Sequence, residues 1–186
     1  MKMAISGSLR LSIFFISCLI ATFLCPSSAI PDVNSPELAT QVCKNTTNFS
    51  FCQAAVYSDP RAPKADRYLL SYVVFELAYR NATNTSNYID ILLKSMNGHA
   101  DPEIMEAMKK CQGDYMEAIK TLSEALTDLD SETFDGLVEL ATDVENSAHD
   151  CEAGFNGKSP ISEKNQNLIQ LSNICYVVSE LYTVSE

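Results

Sequence analysis

Histidine is scarce in this 186-residue sequence, and the common catalytic motifs are absent from it. The two histidines, His99 and His149, lie in no recognisable motif. No G-x-S-x-G, H-E-x-x-H, phosphate-binding loop or C-x-x-C is present, and these are the residue sets of many hydrolases, metalloproteases, nucleotide-binding enzymes and thiol oxidoreductases. We therefore expect a protein that is not an enzyme and that carries no cofactor.

Basic residues are also few. Lys and Arg together number 13 against 24 Asp and Glu, which gives a formal net charge of -11. Nucleic-acid binding requires a basic face, so nucleic acid is excluded as a partner. A surface with this excess of carboxylates would instead be drawn to a basic partner.

Long hydrophobic runs are limited to the N-terminus. Lys2 and Arg10 precede an uncharged apolar stretch over residues 11–25, followed by small residues at Ser27 and Ala29. Fifteen residues are too few for a membrane span, which needs about 20, and the order of segments is that of a secretory signal. We predict a cleaved signal peptide over residues 1–29, with an uncleaved anchor as the alternative, and no membrane association after cleavage.

Removal of the signal leaves residues 30–186, the size of one domain. Five cysteines remain in this part of the chain: Cys43, Cys52, Cys111, Cys151 and Cys175. An odd number in an oxidising compartment predicts two disulfide bonds and one free thiol.

Strand-like alternation is almost missing, and the long segments keep a helical period. The clearest helix follows Asp101 and Pro102, with apolar residues at steps of four and three from Ile104 to Leu129. A second opens with Ser131 as its cap and includes Phe134, a third carries Leu168 to Tyr182, and another spans residues 65–99. We predict an all-α fold: an up-down-up-down four-helix bundle over residues 63–186 with an N-terminal helical hairpin over residues 30–62.

The cysteines can be placed on this bundle. Cys111 and Cys151 lie equally far from the turn near Ser131, so they stand at the same height on antiparallel neighbours and within disulfide range. We pair Cys111 with Cys151 and, across the hairpin, Cys43 with Cys52. Cys175 is nearly level with Cys111, so the swapped pairing stays open; otherwise Cys175 is a buried free thiol.

Two further patterns concern ligands. Asp128, Asp130, Glu132 and Glu139 match positions 1, 3, 5 and 12 of a calcium loop, but Thr133 stands where that loop needs glycine. We therefore expect no metal site there. Four asparagines lie in N-x-[ST] triplets within polar stretches that should be exposed, which makes them predicted glycosylation acceptors: Asn45, Asn48, Asn81 and Asn84.

Five stretches of the sequence occur in a set order and together span nearly the whole mature chain. They are C-x-x-T-x-x-x-x-x-C from Cys43, DPRAPKAD from Asp59, KKCQGDYMEAIKTLSEAL, DCEAGFNGKSP and NLIQLSN. In these stretches and their order the sequence resembles the plant invertase and pectin methylesterase inhibitor family. The resemblance implies a secreted four-helix bundle with an N-terminal hairpin, bridged from the first to the second and from the third to the fourth cysteine.

The resemblance also implies a function. Members bind one-to-one over the active-site cleft of a cell-wall pectin methylesterase or an acid invertase and block access of the substrate. Invertase inhibitors of this group present Pro-Lys-Phe at the corner between the second and third bundle helices, whereas here only Phe134 matches, with no proline or lysine before it. The expectation is an extracellular inhibitor, in the apoplast or cell wall, of pectin methylesterase, with acid invertase as the alternative target.

Carboxylates near that corner are the expected inhibitory surface, because they would attract a basic enzyme and set the register of binding. Together with the aromatic ring they are Asp128, Asp130, Glu132, Phe134, Glu139 and Asp143. A competing hypothesis is a bundle that carries apolar cargo between its helices, which predicts an internal cavity.

Overall fold

The computed structural model describes residues 37–96 and 101–183, and every regular element in these two ranges is a helix. Two short helices come first and four long ones follow. They are α1 (Leu38–Lys44), α2 (Phe49–Val56), α3 (Arg67–Ser95), α4 (Pro102–Asp130), α5 (Leu137–Ala153) and α6 (Ser162–Ser179), with 3₁₀ turns at Ala62–Lys64 and Glu180–Tyr182. The prediction of an all-α fold is confirmed. The predicted signal peptide and His99 lie outside the described residues.

The four long helices form a bundle in which each packs against two others. α4 lies between α3 and α5, α5 lies between α4 and α6, and α6 packs back against α3. Because short connections join helices that pack side by side, successive helices run antiparallel. The predicted up-down-up-down topology is therefore confirmed, and the α3–α6 face lies opposite the α4–α5 face.

Capping residues fix where two of these helices begin. The carboxylate of Asp66 accepts a hydrogen bond from the backbone N–H of Leu69 at 2.8 Å, before the second turn of α3. At the start of α4, Asp101 accepts from the backbone N–H of Glu103 at 3.0 Å, and Pro102 occupies the first helical position. Such caps satisfy amides that have no partner within the helix, so α4 begins where its sequence predicts.

The bundle core is filled by side chains at the predicted spacing. On α4 the seam positions from Met108 to Leu129 are all buried, and Ile104 is half-buried. Burial of one large apolar side chain stabilises the fold by about 1.5–3 kcal/mol. The clefts found among the described residues open to the surface, so the cargo hypothesis has no cavity to support it.

The start of α5 differs from the sequence prediction. The pattern makes Ser131 the N-cap and includes Phe134 in the helix, but α4 continues through Asp130 and α5 begins only at Leu137. The physical reason is Gly136, which has a φ of 94° directly before α5. A left-handed residue cannot continue a right-handed helix, so the prediction was wrong by more than one turn.

The two short helices form a hairpin that packs on α6 and, through α2, on α3. Two disulfide bonds join described residues, as predicted for the fold. Cys43 bonds to Cys52 across the hairpin, with 5.4 Å between their Cα atoms, and Cys111 of α4 bonds to Cys151 of α5, with 4.4 Å between theirs. Cys175 is a buried free thiol, so the swapped pairing is not the one adopted.

Candidate functional site

The connection between α4 and α5 is a tight turn over residues 131–136, which we call the α4–α5 corner. The backbone N–H of Thr133 donates to the backbone carbonyl oxygen of Asp128 at 2.8 Å. The backbone N–H of Glu132 donates to the backbone carbonyl oxygen of Leu129 at 3.0 Å. This pair of bonds is a Schellman motif that ends α4. Glu132 occupies its left-handed position with a φ of 54°, where glycine is usual because a side chain strains the backbone.

The predicted acidic residues lie at this corner and beside it. Asp130, Glu132, Glu139 and Asp143 are exposed, and Asp128 is half-buried. The structure thus brings three carboxylates together around the end of α4, while the other two follow along the first turns of α5. Within the described ranges none of the five forms an ion pair with a basic side chain. Exposed carboxylates in this state are free to attract a basic partner.

Phe134, the aromatic residue of the corner, packs inward. Its ring stacks on that of Tyr182, with 4.1 Å between the centroids and 11° between the planes. The guanidinium carbon of Arg67 lies 5.1 Å from the centroid of Tyr182, and the Tyr182 hydroxyl donates to the backbone oxygen of Arg67 at 3.1 Å. The corner is therefore fastened to the start of α3.

Sequence reasoning missed this role of Tyr182, because its periodicity assigns Tyr182 only to the apolar side of the last helix. Burial raises the pKa of its hydroxyl. A cleft of about 410 Å³ beside the stack is lined by Phe134 from the corner, by Glu139 from α5 and by Tyr176 from α6.

A second polar cluster lies inside the bundle and was also missed. The Tyr115 hydroxyl donates to Asn165 Oδ1 at 2.9 Å, and Asn165 Nδ2 donates to Glu152 Oε2 at 2.6 Å. Thr85 hydrogen-bonds the same tyrosine hydroxyl. These four residues come one from each bundle helix, so a single network, the Tyr115–Asn165 network, connects α3, α4, α5 and α6.

The carboxylate of this network is held in its charged form. Burial acts to raise the pKa of Glu152, but hydrogen bonds from Ser162, Asn165 and Ser159 outweigh it and the pKa is lowered. Burial raises the pKa of Tyr115 well above the usual range. Tyr115, Asn165 and Thr85 are buried, and Glu152 is half-buried at the edge of the network, so the network fixes how the helices are rotated against one another.

Three of the four predicted glycosylation acceptors are exposed: Asn45, Asn48 and Asn84. Asn81 is half-buried, and its amide oxygen is buried without a partner among the described residues. The expectation of exposure is therefore wrong for Asn81. Its polar segment continues α3 as a regular helix, so one side of that segment turns toward neighbouring helices.

The remaining candidates offer little chemistry. His149 is exposed, with its Nε2 3.6 Å from Glu145 Oε1. Burial raises the pKa of the Cys175 thiol, which keeps it protonated and unreactive.

In residues 37–96 and 101–183 there is no group of three His, Cys, Asp or Glu side chains suited to a metal ion. In the same ranges no helix combines the length and apolarity that a membrane span requires.

These features define a class of protein: a disulfide-bonded four-helix bundle that carries a helical hairpin and presents an acidic corner to solvent. The sequence profile described as plant invertase/pectin methylesterase inhibitor matches residues 37–178. The chain belongs to this family. Its members are enzyme inhibitors rather than enzymes, in agreement with the expectation for this sequence.

Similarities to individual proteins agree with this family assignment. The chain is 30% identical over 169 residues to a pectinesterase inhibitor of Actinidia deliciosa, covering 90% of each chain. It is 29% identical over 171 residues to cell wall / vacuolar inhibitor of fructosidase 2 of Arabidopsis thaliana, covering 90% of this chain and 94% of the relative. A crystal structure of a mutant pectin methylesterase inhibitor from Arabidopsis superposes with a TM-score of 0.69 at 22% identity, over 79% of this chain and 97% of the other.

Proposed function

We propose that this chain is a secreted inhibitor of a plant pectin methylesterase, acting in the cell wall by binding one-to-one over the active-site cleft of the enzyme. Acid invertase is the alternative target. The pectinesterase inhibitor of Actinidia deliciosa supports the first target, and the fructosidase inhibitor of Arabidopsis thaliana supports the second at nearly the same identity. The choice between them therefore depends on features of this chain.

The observation that favours pectin methylesterase is the packing of Phe134. An invertase inhibitor of this group is expected to present proline, lysine and phenylalanine at the α4–α5 corner for insertion into a sugar site. Here Glu132 and Thr133 precede the phenylalanine, and the ring of Phe134 stacks on Tyr182. The corner thus offers neither a free aromatic ring nor a cation to a sucrose-binding pocket.

Occlusion by the acidic surface is the mechanism that fits the remaining features. Exposed carboxylates at the end of α4 and along α5 would attract a basic rim on the enzyme, raising the association rate and fixing the register more than adding affinity. Because helices hold these side chains in place, little conformational entropy is lost on binding. Salt screens such attraction over about 8 Å at physiological ionic strength, so we expect inhibition to weaken as salt is added.

The test is a parallel titration of a purified pectin methylesterase and a purified acid invertase with this protein at the pH of the plant cell wall. We expect methylesterase activity to fall to a plateau at an equimolar ratio while invertase activity stays unchanged. Inhibition of the invertase alone would favour the alternative target. Full activity of both enzymes at excess protein would refute the proposed function.

A charge-removing variant addresses the binding surface. We expect Asp130→Asn combined with Glu132→Gln to slow association with the enzyme several-fold at low salt and to flatten the salt dependence. Glu163→Gln is the matched control, because Glu163 is exposed in the first turn of α6 at the other end of the bundle. Equal effects of the two changes would mean that the corner is not the contact.

A further inference from the structure

A groove of about 290 Å³ lies between α2, α3 and α6, on the α3–α6 face. Its volume is at the lower limit of small-molecule sites, which run from roughly 300 to 1,000 Å³. Its lining is half apolar and half polar: Phe51, Ala55, Leu77 and Leu171 on the one hand, and Arg80, Asn81, Asn84 and Asn167 on the other. An aromatic ring beside amide and guanidinium groups suits a pyranose ring, which has an apolar face and polar edges.

Asn84 stands on this groove and is the acceptor of an N-T-S triplet. It is exposed, and its side chain forms no hydrogen bond with any residue that the structure describes. The other exposed acceptors are engaged: Asn48 Nδ2 donates to Gln170 Oε1 at 2.6 Å, and Asn45 Nδ2 donates to the backbone oxygen of Gln41 at 3.2 Å. A sugar on Asn84 therefore disturbs no existing contact of its amide.

The neighbouring acceptor, Asn81, contributes in another way. Asn81 lines the groove, and its amide oxygen is buried without a partner within the described ranges. Buried acceptors are almost always hydrogen-bonded, and one left unpaired is costly. A turn of the Asn81 side chain toward the groove would bring this oxygen within reach of the acetamide N–H or a hydroxyl of a sugar bound there.

We propose that Asn84, and not Asn81, carries the N-linked glycan of α3, and that the first N-acetylglucosamine residue of this glycan packs in the groove against Phe51. The sugar then bridges α3 to the hairpin helix α2. This goes beyond the proposed inhibition, and it rests on the predicted signal peptide because N-glycosylation occurs in secreted chains. The α4–α5 face, on the opposite side of the bundle, stays free of sugar.

The modification uses a lipid-linked oligosaccharide diphosphate as donor. Asn84 Nδ2 forms a bond to the anomeric carbon of the first sugar and gives up one proton. The bond between that carbon and the diphosphate breaks, and the lipid diphosphate leaves. No oxidant or reductant is involved.

Site occupancy is the first test, on the full chain expressed in plant cells. Peptide N-glycosidase converts a glycosylated asparagine to aspartate, so peptide mass mapping reads each acceptor separately. We expect conversion at position 84 in most molecules and none at position 81. Thr83→Ala destroys the Asn81 triplet and should leave the glycan in place, whereas Asn84→Gln should remove the glycan. The Thr83→Ala change should be tolerated by the fold, because Thr83 Oγ1 has no partner within the described part of the chain. Occupancy of Asn81, or of neither residue, would overturn the proposal.

Packing of the sugar is the second test, in a background of Asn45→Gln and Ser50→Ala that removes the other two acceptor triplets. Trimming the glycan to one N-acetylglucosamine should leave the Tm within about 1 °C, while the glycan-free Asn84→Gln protein should melt about 2–4 °C lower, the change that a modest contact makes in a protein of this size. Asn167→Ala, which removes a groove amide, should abolish that difference. Gln166→Ala, an exposed neighbour, should not. Equal Tm values for the trimmed and glycan-free proteins would show that the sugar does not pack in the groove.

Discussion

The hairpin and the bundle each contain one disulfide bond, yet they are stabilised by different interactions. The bundle buries large side chains, among them Tyr115, Phe75 and Leu70. The buried side chains of the hairpin helices are small, Ala39, Val42 and Val56 besides the two cysteines. Less apolar area is therefore removed from water in the hairpin, and other interactions must hold it against the bundle.

Those interactions are polar and lie at the surface. The backbone N–H of Thr47 donates to Asn173 Oδ1 on α6 at 2.9 Å. On the other side, Arg61 donates to Asp59 through Nε and Nη2 at 2.9 and 2.7 Å, and through Nη2 to Glu76 of α3 at 2.9 Å. We call this group the Arg61 clamp.

The difference implies two levels of stability. Burial of apolar surface depends little on pH or salt, whereas hydrogen bonds and ion pairs at the surface respond to both. Regions with few buried apolar contacts can open without global unfolding. The hairpin should therefore loosen under conditions in which the bundle stays folded.

The largest expected effect comes from the disulfides. Cys111 and Cys151 are 40 residues apart and Cys43 and Cys52 are nine apart, so the chain-entropy account assigns about 4 kcal/mol to the first bond and about 2.5 kcal/mol to the second. We expect Cys111→Ala with Cys151→Ala to lower the free energy of global unfolding by about 4 kcal/mol in urea titrations followed by circular dichroism.

Replacing the hairpin cysteines by alanine should act locally. Hydrogen exchange should accelerate for the amides of α1 and α2, with a smaller change in the urea midpoint of the bundle. A uniform increase of exchange across all six helices would contradict the separation of the two regions.

The second prediction compares two tyrosine hydroxyls. The Tyr115 hydroxyl is buried in the Tyr115–Asn165 network, and the Tyr57 hydroxyl donates to Glu37 at 2.6 Å in the hairpin. Tyr115→Phe should lower the unfolding free energy by about 1–3 kcal/mol, because the buried Asn165 Oδ1 loses the hydroxyl that donates to it. Tyr57→Phe should cost about 0.5–1.5 kcal/mol, because water can replace the lost bond. Equal losses of unfolding free energy in the same urea titration would mean that the buried network stabilises the fold no more than the hairpin hydrogen bond does.

Much of the bundle could be predicted from its sequence, because its signals are local. Steps of three and four residues and the Asp101–Pro102 start define α4, and the positions of Cys111 and Cys151 on facing helices follow from the turn between them. The Tyr115–Asn165 network could not be predicted. Tyr115 and Asn165, the pair at its centre, are 50 positions apart, and their meeting depends on how two helices are rotated about their axes.

The corner was mispredicted for a different reason. A helix end of the Schellman type is recognised by glycine at the left-handed position, and here that position holds Glu132. The sequence instead offers Ser131, a good N-cap residue, which shifts the predicted start of α5 toward it. The stack of Phe134 on Tyr182 joins residues from distant segments, so periodicity within either segment contains no sign of it.

The third prediction uses pH to separate the hairpin from the bundle. Hydrogen bonds from Arg61 lower the pKa of Asp59 from 3.8 to about 2. Since the pKa is lower in the folded state, the stabilisation from this carboxylate is complete above pH 4 and is lost as the pH falls through 2. Asp59→Asn should loosen the hairpin already at neutral pH.

The measurement is an acid titration followed by NMR signals of α1 and α2. The wild-type hairpin signals should change as the pH falls from 4 toward 2, and those of Asp59→Asn should change much less over that interval. Asp150→Asn is the control, because Asp150 is an exposed carboxylate of α5. Identical titrations of the wild type and Asp59→Asn would exclude the Arg61 clamp as the cause.

The smallest expected effect concerns a strained residue within the more stable region. Glu132 has a φ of 54°, a conformation that glycine adopts without strain. Glycine is also more flexible in the unfolded chain, which cancels part of this gain. We therefore expect Glu132→Gly to raise the unfolding free energy by about 0.5–1 kcal/mol. Ser131→Gly, at a φ of -90°, should not stabilise. If Glu132 also contacts the target enzyme, the glycine variant should be more stable in urea and yet associate more slowly. A gain in stability together with slower association would identify the strain as a cost of the binding surface. A gain in stability without slower association would assign Glu132 to folding alone.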